Sequence, residues 1–261
     1  MNLNVGAGDN PPSTPLPLVP SLSKTIRRHF FGYIKLARVL ALILKKKANK
    51  CNDINDIVQL SFSIFHNFPF RYFGWIIGPA QLKEEITGLL KILAKQRPNV
   101  ILEIGTASGG TLFLFSRVVS SNGVIVSVDL PGGRFGGGYP EWRIPYYESF
   151  ATHNQQIALI RADSHDLSTL QAVRTILKER RLDFLFIDGD HTYAGVKTDF
   201  EMYSKLVRKG GIIAFHDICP HPPETRCEVN KFWCEIEEQY KHDEIIKDSK
   251  QSGGGIGVVY L

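Results

Sequence analysis

From about residue 99 the chain alternates short apolar runs with longer stretches of helical period. The runs are Val100–Ile104, Val124–Val128, Ile157–Ile160, Phe184–Ile187, Gly211–Phe215 and a last one at Ile256–Tyr260. Between them the spacing predicts helices at Thr169–Arg180, Ala194–Lys209 and around Phe232–Tyr240. Strands apolar along their whole length, rather than at every second position, are buried on both faces. This rhythm therefore predicts an α/β domain with a parallel sheet between two helical layers.

The first part of the chain reads differently. Residues 1–23 ("NPPSTPLPLVPSLS" within them) predict a disordered Pro-rich leader. Residues 24–47 predict a helix with Arg27, Arg28, Lys35, Arg38, Lys45 and Lys46 on one side and apolar residues over most of the rest. Its unbroken apolar run, Val39–Leu44, is far short of the roughly 20 residues that span a bilayer. Two roles fit: packing on the domain or on a second subunit of a homo-oligomer, or peripheral contact with an anionic membrane anchored by Lys45–Lys47. Residues 53–77 continue as helix, then an aromatic segment, "FHNFPFRYFGW", that suits either core or substrate lid. Pro79 opens a further helix, "PAQLKEEITGLLKILAKQ". The expected division is 1–23 leader, 24–78 helical extension and 79–261 catalytic domain.

Charge sharpens this division. Residues 1–50 carry nine Lys/Arg against Asp9 alone, a net of +8, so the remaining residues, with 22 bases and 25 acids, sum to −3. The basic character belongs to the arm, and the body gives no support for nucleic-acid binding. The four cysteines, Cys51, Cys219, Cys227 and Cys234, form no CxxC pair, and no signal peptide is legible. Both observations predict a reducing, cytoplasmic setting.

Chemistry gathers where the apolar runs end. "VILEIGTASGG" is strand, glycine turn and helix start; Gly105, Gly109 and Gly110 let the backbone turn tightly and approach a ligand. Its spacing, Gly105-x-Ala107-x-x-Gly110, is also close to a dinucleotide fingerprint. Glu103 precedes the turn, Asp129 ends the second strand and Asp163 follows the third. Three acids around one crevice suit the cationic S-adenosylmethionine better than a diphosphate. Asp188 ends the fourth strand, and His216 and Asp217 end the fifth. Adjacent strands lie about 4.8 Å apart, so these side chains can converge on one divalent ion such as Mg2+ or Mn2+. His191, three residues past Asp188, is placed to take a proton from an acceptor hydroxyl. Asp190 reads as a helix cap. His216, Cys219, His221, Cys227 and Cys234 cluster in sequence, but their spacings match no standard zinc finger, so a structural zinc site is not expected.

The motifs "LEIGTASGGTLFLFS", "VDLPGGRFGGGY", "IRADSHD", "FIDGDHTYAGVKTDFEMYSKLVRKGGIIAFHD" and "GGIGVVYL", in this order, resemble the class I S-adenosylmethionine-dependent methyltransferases. The closer likeness is to the branch of cephalosporin-hydroxylase-like proteins and rhamnosyl and macrolide sugar O-methyltransferases, over roughly residues 80–261. The resemblance implies a Rossmann-like, doubly wound seven-stranded sheet of order 3-2-1-4-5-7-6 with strand 7 antiparallel. It implies that Glu103, Gly105, Thr106, Ser108 and Gly109 bind the cofactor, that Asp129 holds the ribose, and that Asp163 and Ser164 lie beside the adenine. It implies a metal at Asp188, His216 and Asp217, although relatives usually carry an acid at the second position, and a general base at His191. The loop "PGGRFGGGYPEWR" resembles the family's mobile segment over the cofactor. The expected activity is O-methyl transfer to a hydroxyl of a sugar or glycosylated metabolite. An NAD(P)-dependent oxidoreductase and a non-catalytic accessory protein are the alternatives.

Overall fold

The computed structural model describes residues 24–64, 77–133, 135 and 137–261, with side chains from Lys35 onward. The Pro-rich leader, the aromatic segment 65–75, and Arg134 and Gly136 of the glycine-rich loop lie outside the described residues.

Seven strands make one sheet: β1 Val100–Ile104, β2 Val124–Asp129, β3 Gln156–Arg161, β4 Leu182–Ile187, β5 Val207–His216, β6 Lys241–Ile245 and β7 Ile256–Tyr260. Their order is β3-β2-β1-β4-β5-β7-β6. The first five run parallel, and β7 is antiparallel to both β5 and β6. The expected Rossmann-like sheet is therefore present, strand for strand.

Helices α1 Lys24–Ala48, α2 Ile54–Ser63, α3 Lys83–Gln96, α4 Gly110–Val118 and α5 Ile144–Glu148 form one layer, and α6 Leu167–Leu177, α7 Tyr193–Tyr203 and α8 Val229–Glu237 the other. The strands feed both cores. Ile101, Phe184, Phe186 and Ile212 face the first layer, while Leu102, Ile104, Leu185, Ile187 and Ile213 face the second. Each such side chain, fully buried, contributes about 1.5–3 kcal/mol before entropy is charged against it.

Three local expectations change. The helix predicted over Ala194–Lys209 stops at Tyr203, passes through a 3-10 turn at Ser204–Leu206, and becomes β5 at Val207. Arg208, predicted helical, is instead drawn out along β5 to Asp183, with Nε 2.6 Å from Oδ1. Pro79 does not open a helix: α3 starts four residues later, at Lys83. Gly78 and Pro79 lie flat against Gly110, where a Cβ would come within 2.1 Å of their backbone. Finally, β6 is an edge strand whose first four residues are exposed, so "KHDEI" has no apolar pattern to betray it. Its charges instead discourage pairing with another chain.

Helix α1 packs on the domain. Ala37, Leu40, Leu44 and Ala48 enter the first core, and the helix touches α2 and α5. Its other side leaves Leu36, Val39, Leu42 and Ile43 exposed, Leu42 by 69%. No helix among the described residues is long and apolar enough to cross a membrane.

One buried acid joins the layers. Glu85 of α3 is fully buried and accepts hydrogen bonds from Gly255 N (2.9 Å) and Gln251 Nε2 (2.6 Å). Gly255 sits in a run of three left-handed glycines, Gly253–Gly255, leading into β7. Its carbonyl in turn accepts from Asp217 N at 3.0 Å. Helix α3 thus holds the residue that leaves β5.

Candidate active site

A cleft opens at the carboxyl ends of β1, β2, β3 and β4, where ligands bind in open α/β sheets. Gly105, Asp129, Phe135, Asp163, Ser164, His165 and Asp190 are among its walls. The turn after β1 needs glycine at two positions. Gly105 has φ +100°, and a Cβ there would lie 2.0 Å from the Asp188 carbonyl oxygen. Gly109 has φ +77° and abuts the Tyr147 ring. Ala107 is also forced to positive φ; Tyr147 Oη donates to its carbonyl at 2.9 Å and holds it there. Asp129 accepts from Ala107 N (2.5 Å) and Gly138 N (2.8 Å), so it ties the glycine turn to the glycine-rich loop. Burial pushes its carboxyl upward, against the pull of these N–H donors.

The cofactor residues expected from the sequence divide into two groups. Gly105, Asp129, Asp163 and Ser164 line the cleft. Glu103, Thr106, Ser108 and Gly109 are not among its walls. Glu103 is fully buried below the turn, its oxygens taken by the hydroxyls of Thr111 and Ser127. Burial pushes its carboxyl up to about 8, although both hydroxyls favour the charged form. Thr106 and Ser127 share a hydroxyl–hydroxyl bond of 2.6 Å, and Ser108 donates to the Gly78 carbonyl at 2.7 Å. These side chains shape the turn from behind.

At the ends of β4 and β5 the structure brings together every residue expected there. Asp188, His216 and Asp217 place ligand atoms within 4.8 Å of one another. His216 Nδ1 lies 3.1 Å from Asp188 Oδ1 and 3.3 Å from Asp217 Oδ1. His191 bridges the same pair, with Nε2 3.4 Å from Asp188 Oδ1 and Nδ1 3.2 Å from Asp217 Oδ2. Burial pulls both imidazoles down, but the two carboxylates more than offset it and hold His191 at about 11 and His216 at about 10. The carboxylates are held low in return, against their own burial, by the same imidazoles. Asp217 adopts the left-handed conformation (φ +67°), which costs roughly 1–2 kcal/mol outside glycine. Such strain is found where function over-determines geometry.

The donor set has the chemistry that suits a divalent cation. Asp217, buried, and Asp188, partly buried, supply charge, and His216 Nδ1, which faces both, supplies one nitrogen. Imidazole in place of a third carboxylate shifts the fit from an all-oxygen cation towards one that takes nitrogen.

Several neighbours were not singled out as residues of this site by the sequence. Gln81 Nε2 donates to Asp188 Oδ2 at 2.6 Å across 107 residues, and His221 Nε2 lies 3.1 Å from Asp217 Oδ1. Phe135, a wall of the cleft, stacks on His191 with centroids 4.9 Å apart. His165 also lines the cleft; the Asp199 carboxylate, 3.4 Å from its Nε2, raises it to about 9, against burial. Asp190 is not the cap itself: Thr192 Oγ1 caps α7 by accepting Gly195 N, and Asp190 accepts Thr192 N.

Residues 102–218 match the family model described as a methyltransferase domain. The fold is that of a methyltransferase domain. The uncharacterized protein R132 of Acanthamoeba polyphaga mimivirus is 32% identical over 138 residues, which cover 52% of this chain and 60% of that one. A Dictyostelium discoideum protein named "Probable caffeoyl-CoA O-methyltransferase 2" is 45% identical over 66 residues, 24% of this chain and 28% of its own. The chain thus spans less than two thirds of either relative's length. Among solved structures, the O-methyltransferase TomG from Streptomyces achromogenes, in complex with S-adenosylmethionine, superposes with a TM-score of 0.53 at 15% identity, covering 81% of this chain and 91% of that one. At that identity the likeness is one of fold. The Gly105-x-Ala107-x-x-Gly110 turn, ambiguous by spacing, lies within the matched residues 102–218.

Proposed function

We propose that the chain is an S-adenosylmethionine-dependent O-methyltransferase that methylates a hydroxyl of a sugar or glycosylated metabolite. The observation that carries this is the continuity of two sites through Phe135. One face of the loop lines the cofactor cleft, and the ring covers His191.

In this reading Asp129 receives the ribose hydroxyls, and Asp163 and Ser164 lie beside the adenine, as their places in the cleft allow. The Gly105 turn brings bare backbone against the methionine portion. The sulfonium methyl is already activated, so the chain's main task is to align it with the acceptor oxygen. His191 takes the acceptor's proton once it has released its own to solvent: Asp188 and Asp217 orient its ring from two sides and hold it at about 11, and a cation drawing on both carboxylates would lower it. Asp188, His216 and Asp217 hold a divalent cation, Mg2+ or Mn2+, whose charge when bound lowers the pKa of the acceptor hydroxyl. The loop from Pro131 to Arg143, with Phe135 in it, closes over the reactants and excludes water.

Calorimetry with S-adenosylhomocysteine against NAD+ and NADP+ tests the cofactor, and methyl transfer across glycoside, sugar and phenol acceptors tests the rest. The phenols are included because of the Dictyostelium match. Binding of NAD+ in place of S-adenosylhomocysteine would replace this reading with the oxidoreductase; cofactor binding without transfer to any acceptor would favour the accessory protein.

A second site of contact is proposed at α1. Its outward face sets Leu36, Val39, Leu42 and Ile43 among exposed Lys35, Arg38, Lys45, Lys46 and Lys47. This arrangement suits an anionic membrane surface. Liposomes of neutral and anionic lipid should separate the cases. Leu42→Glu should reduce sedimentation with anionic liposomes several-fold, and sedimentation unaffected by lipid charge or by this change would remove the proposal.

A further inference from the structure

Cys227 ends the loop that follows β5, and hydrogen bonds hold it beside His191. The next residue, Glu228, donates its N–H to the His191 carbonyl at 2.8 Å, and its carboxylate accepts from Tyr193 N at 3.4 Å. Cys227 N donates to Thr225 Oγ1 at 3.2 Å. The result is a second convergence of donor atoms. A His191 ring nitrogen, an Asp217 oxygen and Cys227 Sγ all lie within 4.8 Å of one another. Ligands on a tetrahedral zinc ion, at about 2.0–2.3 Å, stand roughly 3.3–3.8 Å apart, so a small closure of the thiol suffices.

The chemistry of this set differs from that of Asp188, His216 and Asp217, with which it shares only Asp217. One thiolate, one imidazole and one carboxylate make a borderline-soft set. Zinc binds all three, whereas Mg2+ and Ca2+ take oxygen and gain nothing from sulfur. Three protein ligands with a fourth position open is also the arrangement of zinc sites that bind a water or a substrate. Cys227 is a free thiol and is only partly buried, so an ion can reach it. Zinc, unlike a proton donor, needs the lone pair that His191 would use as a base.

We propose that Cys227, His191 and Asp217 form a site for Zn2+ or a similar thiophilic divalent ion, distinct from the Asp188–His216–Asp217 set. On binding, the thiol and the His191 imidazolium each lose a proton to solvent, and the freed imidazole nitrogen and thiolate donate to the metal. A consequence resting on the methyltransferase reading is inhibition: zinc occupies the nitrogen that accepts the acceptor's proton and competes for Asp217.

The test uses the full chain stripped of metal with a chelator and titrated with Co2+. One equivalent should produce a sulfur-to-cobalt charge-transfer band in the near ultraviolet with intense tetrahedral visible bands. Zn2+ should abolish the bands, and excess Mg2+ should leave them. Cys227→Ser should lose the charge-transfer band and weaken Zn2+ binding by about 100-fold. If its folding is impaired, Cys227→Ala and the Zn2+-induced rise in Tm, present in the wild type and absent in the variant, carry the same information. A charge-transfer band surviving in Cys227→Ser, or Co2+ bound with no such band in the wild type, overturns the site. These readouts need no turnover, so they stand or fall separately from the methyltransferase reading. Zn2+ inhibition is measured against each variant's own uninhibited rate; equal inhibition of wild type and Cys227→Ser overturns the inhibitory role.

Discussion

The carboxyl ends of β1 and β2 and those of β4 and β5 lie side by side in one sheet, yet their acids are treated in opposite ways. At β1 and β2, Glu103 is satisfied by two hydroxyls and Asp129 by two backbone N–H groups. Burial raises both carboxyls. At β4 and β5, Asp188 and Asp217 face three imidazoles, His191, His216 and His221, and are held low. The first region uses neutral donors to fix a shape. The second concentrates unlike charges without neutralising them by backbone contacts alone. Shape suits recognition of a cofactor that reacts elsewhere; held charge suits moving a proton or binding a cation.

If that division is real, changes in the two regions should separate binding from turnover. The largest effect is expected for His191→Ala: turnover falls roughly 10²–10⁴-fold while S-adenosylhomocysteine binds as before. A parallel loss of binding would mean the regions act as one. Gly105→Ala is the deliberate exception, because its Cβ would strike the Asp188 carbonyl and so disturb both regions. It should destabilise the fold by about 2–3 kcal/mol, read by urea denaturation, and abolish cofactor binding. Asp129→Asn should weaken S-adenosylhomocysteine about 10- to 100-fold by calorimetry and leave the rate at saturating cofactor close to wild type.

The smallest effect on binding and turnover is expected at Glu103, whose contribution is to stability. Its folded carboxyl titrates at about 8, above the usual 4.5. The folded state therefore holds the proton more tightly, and this contribution to stability is full below pH 4.5 and lost as the pH rises through 8. Unfolding free energy should decline over that window by up to about 1 kcal/mol per pH unit. Glu103→Gln should flatten the decline with little change in binding. A wild-type stability that rises from pH 5 to 8 would contradict this account of the buried carboxyl.

Much of this contrast was legible in the sequence, for a physical reason. Apolar strands announce where they end, so Asp129, Asp188, His216 and Asp217 could be assigned to strand termini before any contact was known. What those acids touch could not be read. Glu103 looks like a cleft residue by position, but it faces the helical layer, where Thr111 and Ser127 claim it. Gln81, His221 and Cys227 come from loops without periodicity, and their partners lie 107, 4 and 10 residues away. Helix α7 was read too long because Ser204–Leu206 continue its pattern, while the pairing of β5 with β4 takes over at Val207.

The bond between Glu85 and Gly255 limits how the molecule can be divided. The matched methyltransferase segment begins at residue 102, but Gln81 and Glu85, both upstream, hold Asp188 directly and Asp217 through the glycine run. Gly255 lies downstream of that segment's end at residue 218. A graft of residues 102–218 into another scaffold would carry the glycine turn intact and leave the carboxylates at the ends of β4 and β5 without their struts. The smallest portable unit runs from before Gln81 to the end of β7, and recombination of relatives should be planned at those joints.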